Sequence, residues 1–277
     1  MRLLLTGAGG FIGRNLKEHL AHSHTILSPR SAELDLLNAA ASRDYFATHP
    51  VDFIIHCAAR GGVRGVADAA TVESDNLLMF QNLLRYKPAT ARMIIFGSGA
   101  QYDRQRDLAN VPESELGKHI PRELYGRAKM RMAQQALQRD DVLCLVIFGC
   151  YGRYEKQSRF PTYSVLQNLR RQPITINQNV FFDYLYITDL CRITQHFLDR
   201  WPSSKVINIT PDKSISLLEL AEIVNEASGF ESPIHVVNPE FNFQYTGENA
   251  LLHEELPGLH FTEYRTGIIG LRSTLAP

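Results

Sequence analysis

Arg2-Leu3-Leu4-Leu5-Thr6-Gly7-Ala8-Gly9-Gly10-Phe11-Ile12-Gly13 opens the chain and decides its fold. A short apolar run leads straight into glycines, and an amphipathic stretch, Phe11–Leu20, follows. Gly7, Gly10 and Gly13 fall in the spacing G-x-x-G-x-x-G. Lacking Cβ, glycine permits a tight turn off a strand, close approach to a pyrophosphate, and close packing of helix on sheet. The start of the helix beyond offers unpaired N–H groups and a positive dipole end to phosphates. The stretch predicts a strand–turn–helix unit that cradles a dinucleotide through Gly7, Gly10, Phe11, Ile12 and Gly13. The spacing departs from G-x-G-x-x-G, and a glycine-rich turn that binds nothing is the alternative.

The same alternation continues downstream. Apolar runs recur at Thr25–Leu27, Phe53–His56, Met93–Phe96 and Val142–Phe148. Helical spacing fills the gaps at Ala39–Thr48, Thr71–Tyr86 and Arg122–Arg139. Strands alternating with helices at this spacing imply βαβ units, a parallel sheet covered on both faces, and right-handed crossovers. The predicted fold class is α/β, a doubly wound parallel sheet of the Rossmann kind with a smaller C-terminal α/β substrate lobe.

After Tyr151 the texture changes. Arg153–Arg159 reads as a charged loop, Tyr163–Arg171 and Asp189–Arg200 as helices, and Val206–Ile209 as a strand. Ser216–Gly229 reads as a helix with Ser216 as N-cap, Glu219 at capping-box spacing and Gly229 beyond its end. The tail from Pro233 carries no assignable pattern. These features place the dinucleotide-binding domain at residues 1–155 plus about 174–205. The substrate lobe takes about 156–173 plus 206–277.

Composition bounds the function. The chain has 277 residues, 44% hydrophobic and 21% charged, with 29 basic and 29 acidic side chains. A net charge of zero gives no global attraction to nucleic acid or to an anionic membrane. No apolar run approaches the roughly 18 residues of a membrane span, and Leu3–Leu5 is too short for a signal-peptide core. Cys57, Cys144, Cys150 and Cys191 form no C-x-x-C pair and read as reduced, packed thiols of a cytoplasmic protein. The ten histidines show no metal-ligand spacing.

The second strand ends in Leu27-Ser28-Pro29-Arg30-Ser31, with no carboxylate before Glu33. A carboxylate there would accept from the ribose 2′-hydroxyl of NAD, whereas an arginine accommodates the 2′-phosphate of NADP. Arg30 therefore favours NADP, with NAD as the alternative.

Two further signals add chemistry. Tyr125-Gly126-Arg127-Ala128-Lys129 puts a phenol and an ammonium on one helix face. A phenol ionises near pH 10, so as an acid/base at neutral pH it needs a fixed cation beside it. Phe96-Gly97-Ser98-Gly99-Ala100-Gln101-Tyr102 follows a strand, placing the Ser98 hydroxyl at a carboxyl end, where open α/β sheets bind ligands. Each signal alone fits an ordinary helix or turn. The order cradle, Ser98, Tyr125 and Lys129 makes joint chance improbable.

On these residues the sequence resembles the extended short-chain dehydrogenase/reductase family, in its NAD-dependent epimerase/dehydratase branch, over nearly the whole chain. His56-Cys57-Ala58-Ala59 is similar to the family's strand-end segment beside the cofactor ribose, and Asp35-Leu36 to its adenine-side pair. Glu73-Ser74-Asp75-Asn76 is similar to the start of its central helix. Phe182–Asp189 resembles a late D-Y-x-Y-V-x-D segment; Ile207–Ile209 and Ser216–Ala221 resemble its nucleotide-sugar lobe. The Arg30 to Asp35 stretch is similar to GDP-fucose synthase.

The resemblance implies Tyr125 as acid/base and Ser98 as the group that orients the reacting oxygen. It implies Lys129 as the cation that favours the phenolate and holds the cofactor ribose. It adds Asp35, Leu36, Ala58, Ala59 and Asn76, with Tyr125 and Lys129, to the cofactor-binding set. It also implies a homodimer through the helices at Thr71–Tyr86 and Arg122–Arg139.

Departures narrow the reaction. The dehydratases of the family carry an Asp-Glu pair after the serine turn, where this chain has Gly99-Ala100-Gln101. The cysteine and histidine of GDP-fucose synthase correspond to Ala100 and Tyr154. The family's substrate-contacting Asn corresponds to Gly149. What remains is hydride transfer at one sugar carbon: a reductase of a nucleotide-linked 4-keto sugar. A 4-epimerase with retained NAD and a non-catalytic dinucleotide-binding regulator are the alternatives. Arg170-Arg171, Arg104 and Arg106 read as solvated charges.

Overall fold

The computed structural model describes residues 1–63 and 65–276. Its centre is a six-stranded parallel sheet. The strand order across it is Val206–Ile209, Val142–Ile147, Arg92–Ser98, Phe53–His56, Arg2–Thr6, Thr25–Leu27. The apolar runs become strands buried on both faces because helices cover both. Leu4, Ile54, Met93, Ile95 and Val142 share one core with residues of the helices Ala39–Thr48, Val72–Tyr86 and Leu124–Leu137. Leu3, Leu5, Ile55, Ile94 and Leu143 share the other with the helices Phe11–Leu20 and Ile187–Asp199. Each fully buried leucine contributes about 1.5–3 kcal/mol, so the alternation along each strand anchors both layers.

The first strand leads to an edge strand, Thr25–Leu27, and the chain then returns to pair Phe53–His56 on its other side. The order therefore reverses between Arg2–Thr6 and Phe53–His56, with Thr6 opposite His56 at their carboxyl ends. A crevice at such a reversal is where doubly wound sheets bind ligands.

The later chain departs from the sequence expectation in three places. Val206–Ile209, expected in the substrate lobe, pairs in parallel with Val142–Ile147 and is fully buried. Reached from the helix Ile187–Asp199, it completes one more βαβ unit. Ile174–Gln178, expected with the sheet, pairs instead with Ile234–Asn238. The tail is ordered: Tyr245–Gly247 is a strand, and Tyr264–Leu275 is a helix whose Ile268 and Leu271 are buried in the lobe's core. Gly267 and Gly270 mask its helical signal in the sequence. The expected capping box forms, with Ser216 Oγ accepting from Glu219 N–H and the Glu219 carboxylate accepting from Ser216 N–H. Among the described residues no helix is long and apolar enough to cross a membrane.

Candidate active site

The glycine turn forms at the crevice. Gly7 has φ +67°, and a Cβ there would lie 2.5 Å from the Ala58 amide nitrogen. A Cβ on Gly13 would lie 2.2 Å from the Gly7 carbonyl oxygen. Gly10 N–H donates to the Gly7 carbonyl (3.0 Å), and Gly10 caps the helix Phe11–Leu20 with no side-chain bond to its first N–H groups. Those donors have no side-chain partner, and a free helix start of this kind fits a pyrophosphate. Phe11 and Ile12 are half-buried against the second core.

Beneath the turn, the Thr6 hydroxyl and His56 Nδ1 are 2.8 Å apart, and Ala58 N–H reaches Thr6 Oγ1 at 3.5 Å. Burial, and then the Lys129 ammonium, push His56 down to about 3, so the imidazole is neutral. Among the described residues its Nε2 has no hydrogen-bond partner.

The remaining cofactor candidates separate by what their side chains do. Arg30 is exposed; its backbone N–H donates to Glu33 Oε2 (2.7 Å), and among the described residues its guanidinium makes no ion pair. Asp35 Oδ1 accepts from Leu37 N–H at 3.0 Å. Leu36 is 7% exposed and belongs to the first core, so only its backbone can face a ligand. Ala58 is half-buried and Ala59 exposed. Asn76, read as a cofactor contact, instead pins the chain. Its Oδ1 accepts from Arg60 N–H (2.9 Å), and its Nδ2 donates to the Arg60 and Val72 carbonyls.

Ser98 ends its strand and caps a short 3₁₀ turn, Gly99–Tyr102; its Oγ accepts from Ala100 N–H at 3.3 Å. Tyr125 and Lys129 share the helix Leu124–Leu137. Lys129 is buried, donates from Nζ to the Phe96 carbonyl (2.7 Å) and lies 5.5 Å from the Tyr125 ring centroid. That carbonyl precedes Ser98 by two residues, so one ammonium ties the tyrosine helix to the serine strand. The helix lies close on the turn, and a Cβ at Gly126 would come within 2.6 Å of the Ala100 carbonyl. Ser98 and the helix that carries Tyr125 and Lys129, remote from it in sequence, are therefore held by one local packing.

The departures have structural causes. Tyr154 donates from its hydroxyl to Glu18 Oε1 (2.6 Å) on the first helix. Gly149 leaves room for the Tyr184 ring, which would be 2.9 Å from a Cβ there. Arg104 pairs with Glu123 at 2.6 Å, and Arg106 donates from Nε to the Tyr102 carbonyl. They are anchored, not free in solvent.

Sequence reading missed two residues here. Tyr245 comes from the lobe strand and puts its hydroxyl 3.4 Å from Ser98 Oγ. Asp68 accepts from the N–H of Tyr125 (2.9 Å) and of Gly62 (3.0 Å). It borders two adjoining cavities of about 330 and 220 Å³. Nothing in the tail's pattern announces Tyr245. The pair Gly61-Gly62 before an aspartate was the only hint of a built turn at Asp68.

Comparison with known proteins gives a family and relatives for the chain as a whole. Residues 3–210 match the family described as the NAD dependent epimerase/dehydratase family. The chain is 27% identical over 252 residues to GDP-6-deoxy-D-mannose reductase of Pseudomonas aeruginosa, covering 84% of this chain and 82% of that one. It is 30% identical over 169 residues to GDP-L-colitose synthase of Yersinia pseudotuberculosis, spanning 56% of this chain and about half (55%) of that relative. In fold it is similar to GDP-mannoheptose C4 reductase from Campylobacter jejuni, solved with NADP bound. The TM-score is 0.85 at 18% identity, covering 99% of this chain and 98% of that one.

Proposed function

The chain belongs to the NAD dependent epimerase/dehydratase family, and from that premise we propose that it is an NADPH-dependent reductase of a nucleotide-linked 4-keto sugar. The observation that carries this is the Ser98, Tyr125 and Lys129 grouping at a strand's carboxyl end, beside a glycine turn that leaves a helix start uncapped by any side chain. Curated relatives named as a GDP-6-deoxy-D-mannose reductase and a GDP-L-colitose synthase support a GDP-linked sugar as the substrate class.

Gly7, Gly10 and Gly13 with the first N–H groups of Phe11–Leu20 would hold the pyrophosphate. Arg30 would hold the 2′-phosphate, and Lys129 the nicotinamide ribose. When bound, the dinucleotide supplies the hydride. Tyr125 hands its proton to the sugar oxygen, and the Lys129 ammonium favours the phenolate left behind. Ser98 Oγ accepts from Ala100 N–H, and with the Tyr245 hydroxyl as donor across their 3.4 Å contact the serine proton is free to bond the same oxygen. The serine turn contains no carboxylate at Gly99, Ala100 or Gln101, which disfavours water elimination.

The resemblance favours a homodimer through the helices Val72–Tyr86 and Leu124–Leu137, on which Leu78 and Leu137 are exposed. Four free cysteines support a cytoplasmic location.

Fluorescence titration of the full chain with NADPH and NADH, beside Arg30→Ala, tests the reading. NADPH should bind at least about tenfold more tightly, and the preference should vanish in Arg30→Ala. Preference for NADH, or NAD that co-purifies and does not exchange, would overturn it in favour of the 4-epimerase.

A further inference from the structure

The described residues of the segment 60–71, namely 60–63 and 65–71, lie against the Tyr125 ring at Gly62 and are fastened at two points. At its root, Asn76 holds the Arg60 backbone through two hydrogen bonds. The second point is Asp68, whose two carboxylate oxygens serve different elements. Oδ1 accepts from Gly62 N–H at 3.0 Å, and Oδ2 accepts from Tyr125 N–H at 2.9 Å. Gly62 has φ +74°, and a Cβ there would lie 2.9 Å from Tyr125 Cδ1, Cδ2 and Cε1 alike. Equal distance to three ring carbons places the glycine over the ring face. No side chain other than hydrogen fits.

The helix Leu124–Leu137 also needs what Asp68 provides. Its own N-cap, Glu123, makes no capping bond and pairs with Arg104 instead. Tyr125 is the second residue of that helix, one of the positions whose N–H lacks an internal partner. A carboxylate brought from 57 residues away in sequence supplies the cap and the negative charge that a helix start favours.

We propose that Asp68 is the positioning residue of this site: a two-pronged clamp that caps the Tyr125 helix and holds Gly62 over the Tyr125 ring. The clamp fixes the phenol's direction and shields one ring face from water. Val63 and Val66, 38% and 63% exposed, lie between its two ends and border the 330 Å³ cavity. They form the apolar outer wall of the covering segment. The clamp's importance for turnover rests on the reductase reading above; its geometry does not.

The test uses the full chain labelled with [¹⁵N,¹³C]glycine, alone and with NADPH added. A glycine seated on a ring face gives an upfield-shifted α-proton signal, identified by its loss in Tyr125→Leu. That shift should collapse in Asp68→Ala and shrink in Asp68→Asn, whose single carbonyl oxygen replaces two acceptors. Asp68→Glu should restore part of it. Absence of a ring-shifted glycine in the unsubstituted chain, or its persistence in Asp68→Ala, would overturn the clamp. The kinetic arm follows NADPH oxidation with a GDP-linked 4-keto-6-deoxyhexose as probe. Asp68→Ala should lower kcat at least tenfold with the KM for NADPH unchanged. A normal kcat in a variant that has lost the glycine shift would overturn the positioning role. Inactivity of the unsubstituted chain would sink the reductase reading alone, and the glycine signal would still decide the clamp.

Discussion

The hydroxyl of Tyr245 lies 3.4 Å from Ser98 Oγ, joining the lobe strand Tyr245–Gly247 to the end of the sheet strand Arg92–Ser98. The contact is held from behind. Asp183 accepts from Gly247 N–H through Oδ2 and from the Ser214 hydroxyl through Oδ1, both at 2.7 Å. The ring itself packs on Phe148 and Phe182. Tyr245→Phe keeps that packing and removes only the hydroxyl. It should lower kcat/KM about fivefold, the worth of one hydrogen bond, with the urea midpoint nearly unchanged. An unchanged kcat/KM would remove Tyr245 from the site.

The cradle predicts a contrast between neighbouring glycines. A Cβ at Gly13 meets the Gly7 carbonyl at 2.2 Å, whereas a Cβ at Gly9 meets nothing within 4 Å. Gly13→Ala should destabilise the fold by about 1–3 kcal/mol and weaken NADPH binding, since the turn must open to admit the methyl group. Gly9→Ala should leave stability within about 0.5 kcal/mol of the parent. Urea denaturation and NADPH fluorescence measure both.

Tyr125→Phe should cut turnover by about 100-fold or more while leaving the Kd for NADPH within about threefold, because it removes the proton donor alone. Lys129→Met should lose turnover and NADPH affinity together. Its ammonium both lies 5.5 Å from the Tyr125 ring centroid and holds the Phe96 carbonyl. Steady-state kinetics beside a binding titration separates the two patterns. Equal loss of affinity in both variants would refute the division of roles.

His56 gives a pH dependence of stability with a definite sign. Its folded pKa, pushed down to about 3, lies below the ordinary value of 6.5. Above 6.5 neither state is protonated there. As pH falls from 6.5 towards 3 the unfolded chain takes up a proton that the folded one refuses, so stability is lost. The slope approaches about 1.4 kcal/mol per pH unit. Asp183 and Glu155 act in the opposite sense, since burial raises them to about 6 and about 8. The His56→Gln variant isolates the effect. Urea midpoints of the parent should fall relative to the variant between pH 6.5 and pH 4, and parallel curves would refute it.

Much of the architecture was legible in the sequence because it is local. Leu3–Leu5 and Val142–Phe148 are continuous apolar runs, and a strand covered on both faces has that composition. Phe11–Leu20 and Ala39–Thr48 carry a helical period, and their observed limits coincide with the reading. Ser216 and Glu219 announced a helix start through a pair three residues apart. The lobe was harder. Ile174–Gln178 finds its partner in Ile234–Asn238 across a long stretch of chain, and no period in either segment names the other.

By itself, the sequence determined the parallel sheet, the glycine turn and the shared helix face of Tyr125 and Lys129. Each depends on residues within a few positions of one another, where spacing fixes geometry. Only the tertiary structure decided how the site closes. Thr6 meets His56 at a separation of 50 residues, Asp68 meets Tyr125 at 57, and Ser98 meets Tyr245 at 147. These contacts arise where the sheet order reverses and where loops with left-handed glycines fold back. Their positions are set by packing of the whole core, which no short window of sequence contains.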